Sequence, residues 1–127
     1  MRNIAIFLTM ICLTLFAFIK EVNSTVVLFD GMASWYSEND PGILKTTANM
    51  ERFSDEKLTC AMWGLAFNTI LKVTNTGNGK SVFVRVNDRG PAKRLVQKGR
   101  IVDLTKSAFA KIADLEKGLI HVKIEIM

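Results

Sequence analysis

The chain has 127 residues, with 17 Lys and Arg against 12 Asp and Glu, and its formal net charge at neutral pH is +5. This length accommodates one small domain beside a targeting segment, so we expect a single domain and not a multidomain enzyme. The small positive excess is compatible with an anionic polymeric partner or with a plainly basic, soluble surface.

The first 24 residues have the pattern of a secretory signal peptide. Arg2 precedes an apolar run over residues 4–19, and polar residues with the small Ser24 follow it. The run is shorter than the roughly 20 residues of a spanning helix, so we favour cleavage after Ser24 over a retained N-terminal anchor. Cys12 lacks a preceding small-residue box, so no lipid anchor is expected. We therefore predict a signal peptide over 1–24, one domain over 25–127, and export to a bacterial periplasm or cell envelope.

The exported part of the chain keeps a positive charge and a single thiol. Loss of Arg2, Lys20 and Glu21 leaves 15 basic and 11 acidic residues, a net charge of +4. In an envelope this excess favours an anionic wall polymer over nucleic acid. Cys60 has no partner for an intramolecular disulfide, so the core must hold the domain together. Because no histidine lies near it in sequence, we interpret Cys60 as buried and inert.

Short segments of β-rich composition follow one another along the exported part. Two are predicted early, at 31–37 and 58–63. A hairpin is predicted from Thr69 to Val86, because residues 81–86 alternate apolar and polar, and Asn78 with Gly79 favours a type I′ turn. Further strands are predicted at 100–104 and 121–127.

One helix is predicted before the last strand. Thr105 is a candidate N-cap and Gly118 a candidate stop. The apolar residues between them share one helical face: Ala108, Phe109, Ile112 and Leu115. Six short strands with one late helix predict a mainly β fold that closes into a small barrel, because a closed sheet leaves no exposed edge. The pattern alone does not specify which barrel.

Asp88 is the first candidate for a catalytic carboxyl. It follows a strand with a predicted buried valine face and precedes Gly90 and Pro91, so its side chain would stand at a strand end. Catalytic groups are often mounted at such positions. The alternative is a turn in which the carboxylate accepts backbone N–H groups and pairs with Arg89. From spacing alone both interpretations remain open.

Glu51 and Asp103 are the other carboxyls in otherwise apolar surroundings. An acid that protonates a glycosidic oxygen needs a raised pKa, which an apolar wall or a second carboxylate supplies, so Glu51 and Asp88 form one hypothetical pair. Alternatively, Glu51 caps a turn or lies in solvent. We interpret Asp103 as structural, hydrogen-bonded to the N-terminus of the adjacent helix.

Aromatic and basic residues complete the candidate set. Trp35, Tyr36 and Trp63 have flat faces that can stack on sugars, although aromatic residues in strands are more often part of a core. A basic run follows Pro91, and it is either a solvated loop or a clamp for the carboxylates of an anionic glycan: Lys93, Arg94, Lys98 and Arg100. His121 is the sole histidine, so neither a metal nor another cofactor is expected.

One known family has these motifs in the same order. The segments GMASWYS, TTANMERF, LTCAMWGLAFNTILKVTNTGNGKSVFVRVNDRGP and GRIVDLTKSAFAKIADLEKGLIHVKIEI resemble the rare lipoprotein A, or RlpA-like, family from Gly31 to Ile126. The resemblance implies a six-stranded double-psi β-barrel, similar to barwin and expansin domains. It also implies a lytic transglycosylase that cleaves the β-1,4 bond between N-acetylmuramic acid and N-acetylglucosamine. Such enzymes leave 1,6-anhydro ends, favour peptidoglycan strands stripped of stem peptides, and serve wall remodelling or septation.

The resemblance also implies roles for particular residues. Asp88 matches the acidic residue of the DRGP motif, which protonates the leaving oxygen and then helps the C6 hydroxyl attack. Glu51 matches the glutamate that ends the TANGE motif. We expect the following residues to bind substrate in a monomeric protein: Trp35, Tyr36, Trp63, Asn87, Arg89 and Arg94.

Departures from the family pattern leave a second function open. Met62 stands where the family usually has a histidine, and a thioether cannot move protons. Met50 replaces an expected glycine, and Ser54 stands where an aspartate is common, with Asp55 next to it. An enzyme is therefore expected because Glu51 and Asp88 are both present, and the alternative is an expansin-like barrel that binds glycan without cutting it.

Overall fold

The computed structural model describes residues 27–127, and these form a closed barrel of six strands. The strands are β1 (Leu28–Tyr36), β2 (Thr59–Ala61), β3 (Ile70–Asn75), β4 (Ser81–Asp88), β5 (Arg100–Thr105) and β6 (Leu119–Ile126). Two short helices, α1 (Lys93–Val96) and α2 (Lys106–Ala110), and a 3₁₀ turn (Leu115–Lys117) connect the later strands. The predicted signal peptide lies outside the described residues. Within 27–127 no helix is long and apolar enough to cross a membrane.

The order of strands around the barrel differs from their order in the sequence. It runs β1, β5, β2, β4, β3, β6 and closes again on β1. The pairs β1–β5 and β2–β4 are parallel, and the other four pairs are antiparallel. The short β2 therefore lies between the ends of β4 and β5. The predicted mainly β class, with six strands in a closed barrel, is confirmed.

The alternation in the sequence correctly predicts which side chains fill the barrel. Val82, Val84 and Val86 of β4 are buried, whereas the intervening Phe83 is exposed. Val122 and Ile124 of β6 face the same core. Cys60 is completely buried among them, as expected, and burial raises the pKa of its thiol to about 12. Removal of this apolar surface from water is the main force that holds the domain.

The hairpin of β3 and β4 is confirmed, but its predicted turn is wrong. The strands pair antiparallel from Ile70 with Arg85 to Thr74 with Ser81. A loop over residues 76–80 joins them, and Gly79 adopts a positive φ of 75°, whereas Asn78 does not. The Asn78 side chain instead accepts a hydrogen bond from the Lys80 N–H (2.9 Å) and donates one to a carbonyl of another segment. A longer loop held by this amide replaces the two-residue turn.

The predicted late helix is shorter than expected. Thr105 does cap it, because its Oγ1 accepts a hydrogen bond from the Ala108 N–H, but α2 ends at Ala110. The Ile112 carbonyl accepts hydrogen bonds from the side-chain amides of Asn75 (2.8 Å) and Asn78 (2.9 Å), so it is engaged outside any helix. Of the predicted apolar face, Ala108, Phe109 and Ile112 are nevertheless buried, and Leu115 is partly buried against the same core. A second helix, α1, also forms in the basic run, where a loop was one of the two predictions.

Candidate functional site

Two carboxylates flank one small residue where β4, β2 and β5 lie side by side. Ala61 of β2 is the Cα partner of Asp88 on β4 and also of Asp103 on β5. Cys60, one residue earlier, faces the barrel core, whereas Ala61 packs with Tyr36 and Phe53 in a separate cluster. The barrel therefore places this cluster, with the two carboxylates beside it, outside the main core and at the ends of the strands.

Asp88 is fixed by donors from three different segments. Its Oδ1 accepts hydrogen bonds from the backbone N–H groups of Ala48 (3.0 Å) and Arg89 (2.9 Å), and its Oδ2 accepts one from the Tyr36 hydroxyl (3.3 Å). The turn interaction considered from the sequence is thus present. The Arg89 guanidinium is directed elsewhere, because it lies 4.0 Å from the centroid of the Phe67 ring and donates to the Met62 carbonyl (2.9 Å).

Tyr36 is a buried hydrogen-bond donor of the site. Its ring lies against Phe53, with the ring centroids 4.6 Å apart, and only 8% of the residue is exposed. Burial, reinforced by the negative charge of Asp88, raises the pKa of Tyr36 well above its usual value, so the phenol keeps its proton. Tyr36 therefore holds Asp88 in place, and little of its face is available for stacking on a sugar.

Glu51 belongs to an ion pair rather than to a carboxylate pair with Asp88. Both of its oxygens accept hydrogen bonds from the Arg85 guanidinium, at 2.6 and 2.9 Å. The side-chain amides of Asn49 (2.8 Å) and Asn87 (3.2 Å) donate to the same carboxylate. These donors, Arg85 first, lower the pKa of Glu51 to about 2. The raised pKa expected of a proton-donating partner is therefore not present at Glu51.

The Glu51 network holds the turn that supports Asp88. The Thr47 and Met50 backbones are hydrogen-bonded across the turn, and the Asn49 N–H donates to the Asn87 carbonyl (3.2 Å). This arrangement directs the Ala48 N–H at Asp88. Asn87 itself is only 2% exposed, and within the described residues its Oδ1 has no hydrogen-bond partner. Asn87 therefore supports the Glu51 carboxylate from a buried position. Its side chain could contact substrate only if the residues that cover it moved.

Asp103 lies in the site, and the prediction of its hydrogen-bond partner is wrong. The N-terminus of α2 is capped by Thr105. Asp103 Oδ1 instead accepts hydrogen bonds from the Ser34 hydroxyl and from Arg100 Nε (3.2 Å). Strand pairing between β5 and β2 brings Asp103 next to Ala61, and no motif in the sequence indicates that pairing.

The remaining predicted binding residues divide into buried and exposed ones. Trp35 is partly buried against the core, and its Nε1 donates to the Leu115 carbonyl (3.0 Å). Trp63 is 39% exposed, and its Nε1 donates to the Pro91 carbonyl (2.6 Å) just after Asp88. Lys93 Nζ lies 5.1 Å from the centroid of the Trp63 ring, and Arg94 is exposed on α1. Trp63 and Arg94 are thus the accessible members of the set.

A groove runs past Asp88. Its volume is about 320 Å³, and it is lined by the following residues: Tyr36, Gly42, Ile43, Leu44, Thr46, Thr47, Ala48, Asp88 and Arg89. The segment 43–45 separates it from a second hollow of about 240 Å³. Among residues 27–127 no three His, Cys, Asp or Glu side chains lie together as a metal-ligand set. The groove therefore presents one anchored carboxylate, Asp88, beside the apolar side chains of Ile43 and Leu44.

Comparison with known proteins identifies the family. A family model described as lytic transglycolase matches residues 29–124, nearly all of the described chain. The chain belongs to the lytic transglycolase family. Curated relatives agree: it is 42% identical over 109 residues to a probable endolytic peptidoglycan transglycosylase RlpA of Nostoc sp., and 44% identical over 98 residues to an endolytic peptidoglycan transglycosylase RlpA of Campylobacter jejuni. The predicted resemblance to RlpA is confirmed.

The alignments cover most of this chain but a minor part of the relatives. They span 85% of this chain and 28% of the Nostoc protein, and 77% of this chain and 34% of the Campylobacter protein. Solved structures support the double-psi barrel fold. The Streptomyces papain inhibitor has a TM-score of 0.62 at 19% identity, covering 80% of this chain and 94% of that protein. An expansin of Clavibacter michiganensis has a TM-score of 0.60 at 21% identity, covering 80% and 50%.

Two methionines occupy positions at which the lytic transglycolase resemblance leads us to expect other residues. Met50, in place of glycine, adopts a positive φ of 72° and is 82% exposed. The left-handed backbone explains why glycine suits this turn. Met62, in place of histidine, is 5% exposed and packs in the barrel core, while its backbone N–H donates to the Asp88 carbonyl (3.1 Å). The thioether is thus a core group directly behind the site.

Proposed function

We propose that this barrel is a peptidoglycan lytic transglycosylase. It would cleave the β-1,4 bond between N-acetylmuramic acid and N-acetylglucosamine and leave 1,6-anhydro ends during wall remodelling or septation. The observation that carries the proposal is Asp88, a carboxylate held at a strand end by two backbone N–H groups and a tyrosine hydroxyl beside an open groove. Relatives named as endolytic peptidoglycan transglycosylases support it. Export as a monomer to the periplasm or cell envelope is part of the same proposal.

The reaction needs one group that first gives and then takes a proton. The Asp88 carboxyl would protonate the leaving oxygen of N-acetylglucosamine as the bond to C1 of N-acetylmuramic acid breaks. The C6 hydroxyl of the same muramic acid would then attack C1 while Asp88 removes its proton. One proton is donated and one recovered, and no water is consumed. The anchoring of Asp88 by Ala48, Arg89 and Tyr36 suits this cycle, because its position is set before the glycan binds.

Other residues would support this chemistry. Glu51, ion-paired with Arg85, would act as a positioning residue through the turn that presents the Ala48 N–H to Asp88. Trp63 would offer an exposed aromatic edge to a sugar, and Arg94 a charge to the carboxylates of the glycan. For Trp35 and Asn87 the contacts favour a supporting role over direct binding.

A glycan-binding barrel without catalysis is the second candidate. Met62 supports it, because a buried thioether stands where the family resemblance places a proton-transferring imidazole. As a binding barrel, the groove would hold peptidoglycan strands, and Asp88 would bind sugar hydroxyls without transferring a proton.

Mass spectrometry of soluble products distinguishes the two functions. The purified full-length chain is incubated with sacculi whose stem peptides have been removed, and anhydro-muramic ends are measured. For Asp88→Asn we expect a loss of at least about 100-fold, the usual scale for a proton-transfer group, with unchanged sedimentation on sacculi. Asp114→Asn, which changes an exposed carboxylate just before the 3₁₀ turn, is the matched control. Sedimentation without any anhydro product from the wild-type chain would contradict the enzyme and establish the binding barrel.

A further inference from the structure

A second hollow adjoins the groove that contains Asp88. Its volume is about 240 Å³, room for a chemical group the size of several water molecules. Ile43 and Leu44 line both the groove and this hollow, so the two spaces share a wall. Leu44 is 77% exposed, which places it at the surface between the two openings. A molecule that lies in the groove therefore has the hollow beside it.

Two packed aromatic rings connect the hollow to Asp88. Phe53 lines the hollow and Tyr36 lines the groove, and their ring centroids are 4.6 Å apart. Both residues are buried, and the Tyr36 hydroxyl donates to Asp88 Oδ2 (3.3 Å). The position of the hollow relative to this carboxylate is therefore set by a buried pair of rings.

Two cations line the hollow, and the backbone on which they stand is held in place. The Lys45 carbonyl accepts a hydrogen bond from the Phe53 N–H (2.8 Å), and Thr46 forms an antiparallel bridge with Arg52. Lys45 and Arg52 thus lie on facing segments of a short ladder, and both are exposed. Within residues 27–127 neither side chain takes part in an ion pair. Both positive charges are therefore accessible to a ligand.

One acidic residue also lines the hollow, and its carboxylate is held by the backbone. Glu38 Oε1 accepts a hydrogen bond from the Asp55 N–H (2.9 Å), and Asp55 Oδ1 accepts one from the Glu38 N–H (2.8 Å). This reciprocal pair ties Glu38 to its own loop. Lys45 and Arg52 set two positive charges against this single negative one, so the lining has an excess of one positive charge.

A carboxylate on a short apolar stem fits these features. The planar guanidinium of arginine can donate two parallel hydrogen bonds to a carboxylate, and a lysine ammonium adds a point charge. Ile43, Leu44 and Phe53 supply an apolar lining for the carbon atoms next to that carboxylate. N-acetylmuramic acid carries such a group, because its lactyl ether ends in a free carboxylate when no stem peptide is attached. With a stem peptide attached, the same carbon belongs to an uncharged amide.

We propose that the hollow binds the lactyl carboxylate of muramic acid, with Lys45 and Arg52 as the residues that recognise it. The lactyl group suits this position because a short link joins it to the sugar ring, and the hollow adjoins the groove that would hold that ring. The inference rests on the glycan partner of the proposed function, which the enzyme and the binding barrel have in common. It adds a specificity, since strands with free lactyl carboxylates bind more tightly than strands in which these groups are amides.

Equilibrium binding of matched oligosaccharides tests this recognition. The first probe is a tetrasaccharide of alternating N-acetylglucosamine and N-acetylmuramic acid with free lactyl carboxylates, and the second has these groups converted to methylamides. The full-length chain should bind the free acid about fivefold to tenfold more tightly, the scale of two exposed ion pairs. The preference should shrink at high salt, because exposed charges are screened. Titrations are repeated with Asp88→Asn, which by the proposed mechanism leaves the probes intact.

Substitution of the two cations assigns the preference to the hollow. Lys45→Gln combined with Arg52→Gln should abolish it. Lys111→Gln combined with Lys117→Gln removes the same charge from exposed positions at the end of α2 and on the 3₁₀ turn, and this control should keep the preference. If the first pair does not fold, single changes at position 52 decide. Arg52→Lys should keep most of the preference and Arg52→Glu should abolish or reverse it; a preference unchanged in Arg52→Glu would overturn the proposal.

A third probe identifies the source of the carboxylate. It is the same tetrasaccharide with stem peptides attached, so its lactyl groups are amides while the peptides carry carboxylates of their own. This probe should bind as weakly as the methylamide. Tight binding that is lost when Lys45 and Arg52 are both replaced by glutamine would show that the hollow recognises the stem peptide, and it would overturn the assignment to the lactyl group.

The outcomes separate this inference from the proposed function. Anhydro ends from a wild-type chain that shows no preference for the free acid would overturn the role of the hollow and leave the enzyme in place. A preference for the free acid in a chain that forms no anhydro ends would support the hollow and contradict the enzyme. Binding of none of the probes would contradict the glycan partner itself, and with it both proposals.

Discussion

Replacing Glu51 by glutamine should destabilise the domain in a pH-dependent way. The carboxylate is held by Arg85 and two amides, and its pKa falls from 4.5 to about 2. At about 1.4 kcal/mol per pKa unit this shift corresponds to roughly 3 kcal/mol. Because the ion-paired side chains are each 30% exposed, solvent screening reduces the expected contribution to about 1–2 kcal/mol at neutral pH.

The direction of the pH dependence follows from the lowered pKa. Between about pH 4.5 and pH 2 the unfolded chain binds more protons at Glu51 than the folded chain does. The stabilisation is therefore complete above pH 4.5 and is lost as the pH falls through about 2. The difference in unfolding free energy between wild type and Glu51→Gln should be constant from pH 7 to pH 5 and then shrink.

Urea unfolding followed by tryptophan fluorescence at several pH values measures this difference. Glu116→Gln, which neutralises an exposed carboxylate on the 3₁₀ turn, is the matched control and should change stability by less than about 0.5 kcal/mol. Arg85→Gln completes a double-mutant cycle, and its effect should largely vanish in the Glu51→Gln background. A Glu51→Gln variant as stable as wild type, or a difference that persists unchanged to pH 2, would refute the reasoning.

Two further substitutions concern the methionines beside the site. Met50→Gly should raise the free energy of unfolding by about 1 kcal/mol, because a left-handed backbone costs a side-chain-bearing residue that amount; a lower thermal midpoint would show that the exposed Met50 side chain stabilises the turn. Met62→His should lower stability by about 1–3 kcal/mol, since a polar ring enters the core behind Asp88. Its anhydro-product rate should nevertheless rise if the groove is catalytic, and unchanged product per folded molecule would count against a role for histidine at this position.

The strands could be predicted because their signal is local. Alternation with period two is imposed by the pleat, so the valines of β4 identify their own buried face. The end of α2 could not be predicted in the same way. Amides of Asn75 and Asn78, more than thirty residues earlier in the sequence, engage the Ile112 carbonyl. Only the folded barrel brings those groups together.

The candidate site was predictable only in part, for the same reason. Asp88 could be chosen from its position at a strand end next to a turn. The ion-pair partner of Glu51 could not be predicted, because Arg85 lies 34 residues away in sequence and on another element. The sequence predicts a hydrogen bond from Asp103 to the helix beside it, whereas the antiparallel pairing of β2 with β5 places Asp103 next to Ala61. Strand order, which the sequence pattern does not contain, decides which carboxylates meet.

The position of β6 has a consequence for how the protein is made. This last strand of the barrel pairs with β1 on one side and with β3 on the other. During synthesis, the edge of β1 that pairs with β6 has no partner until more than eighty further residues have been made. Contacts between strands so distant in sequence form slowly. The barrel therefore stays open between β1 and β3 until its final strand is complete. Closure of the barrel, and with it assembly of the groove, becomes a single late event.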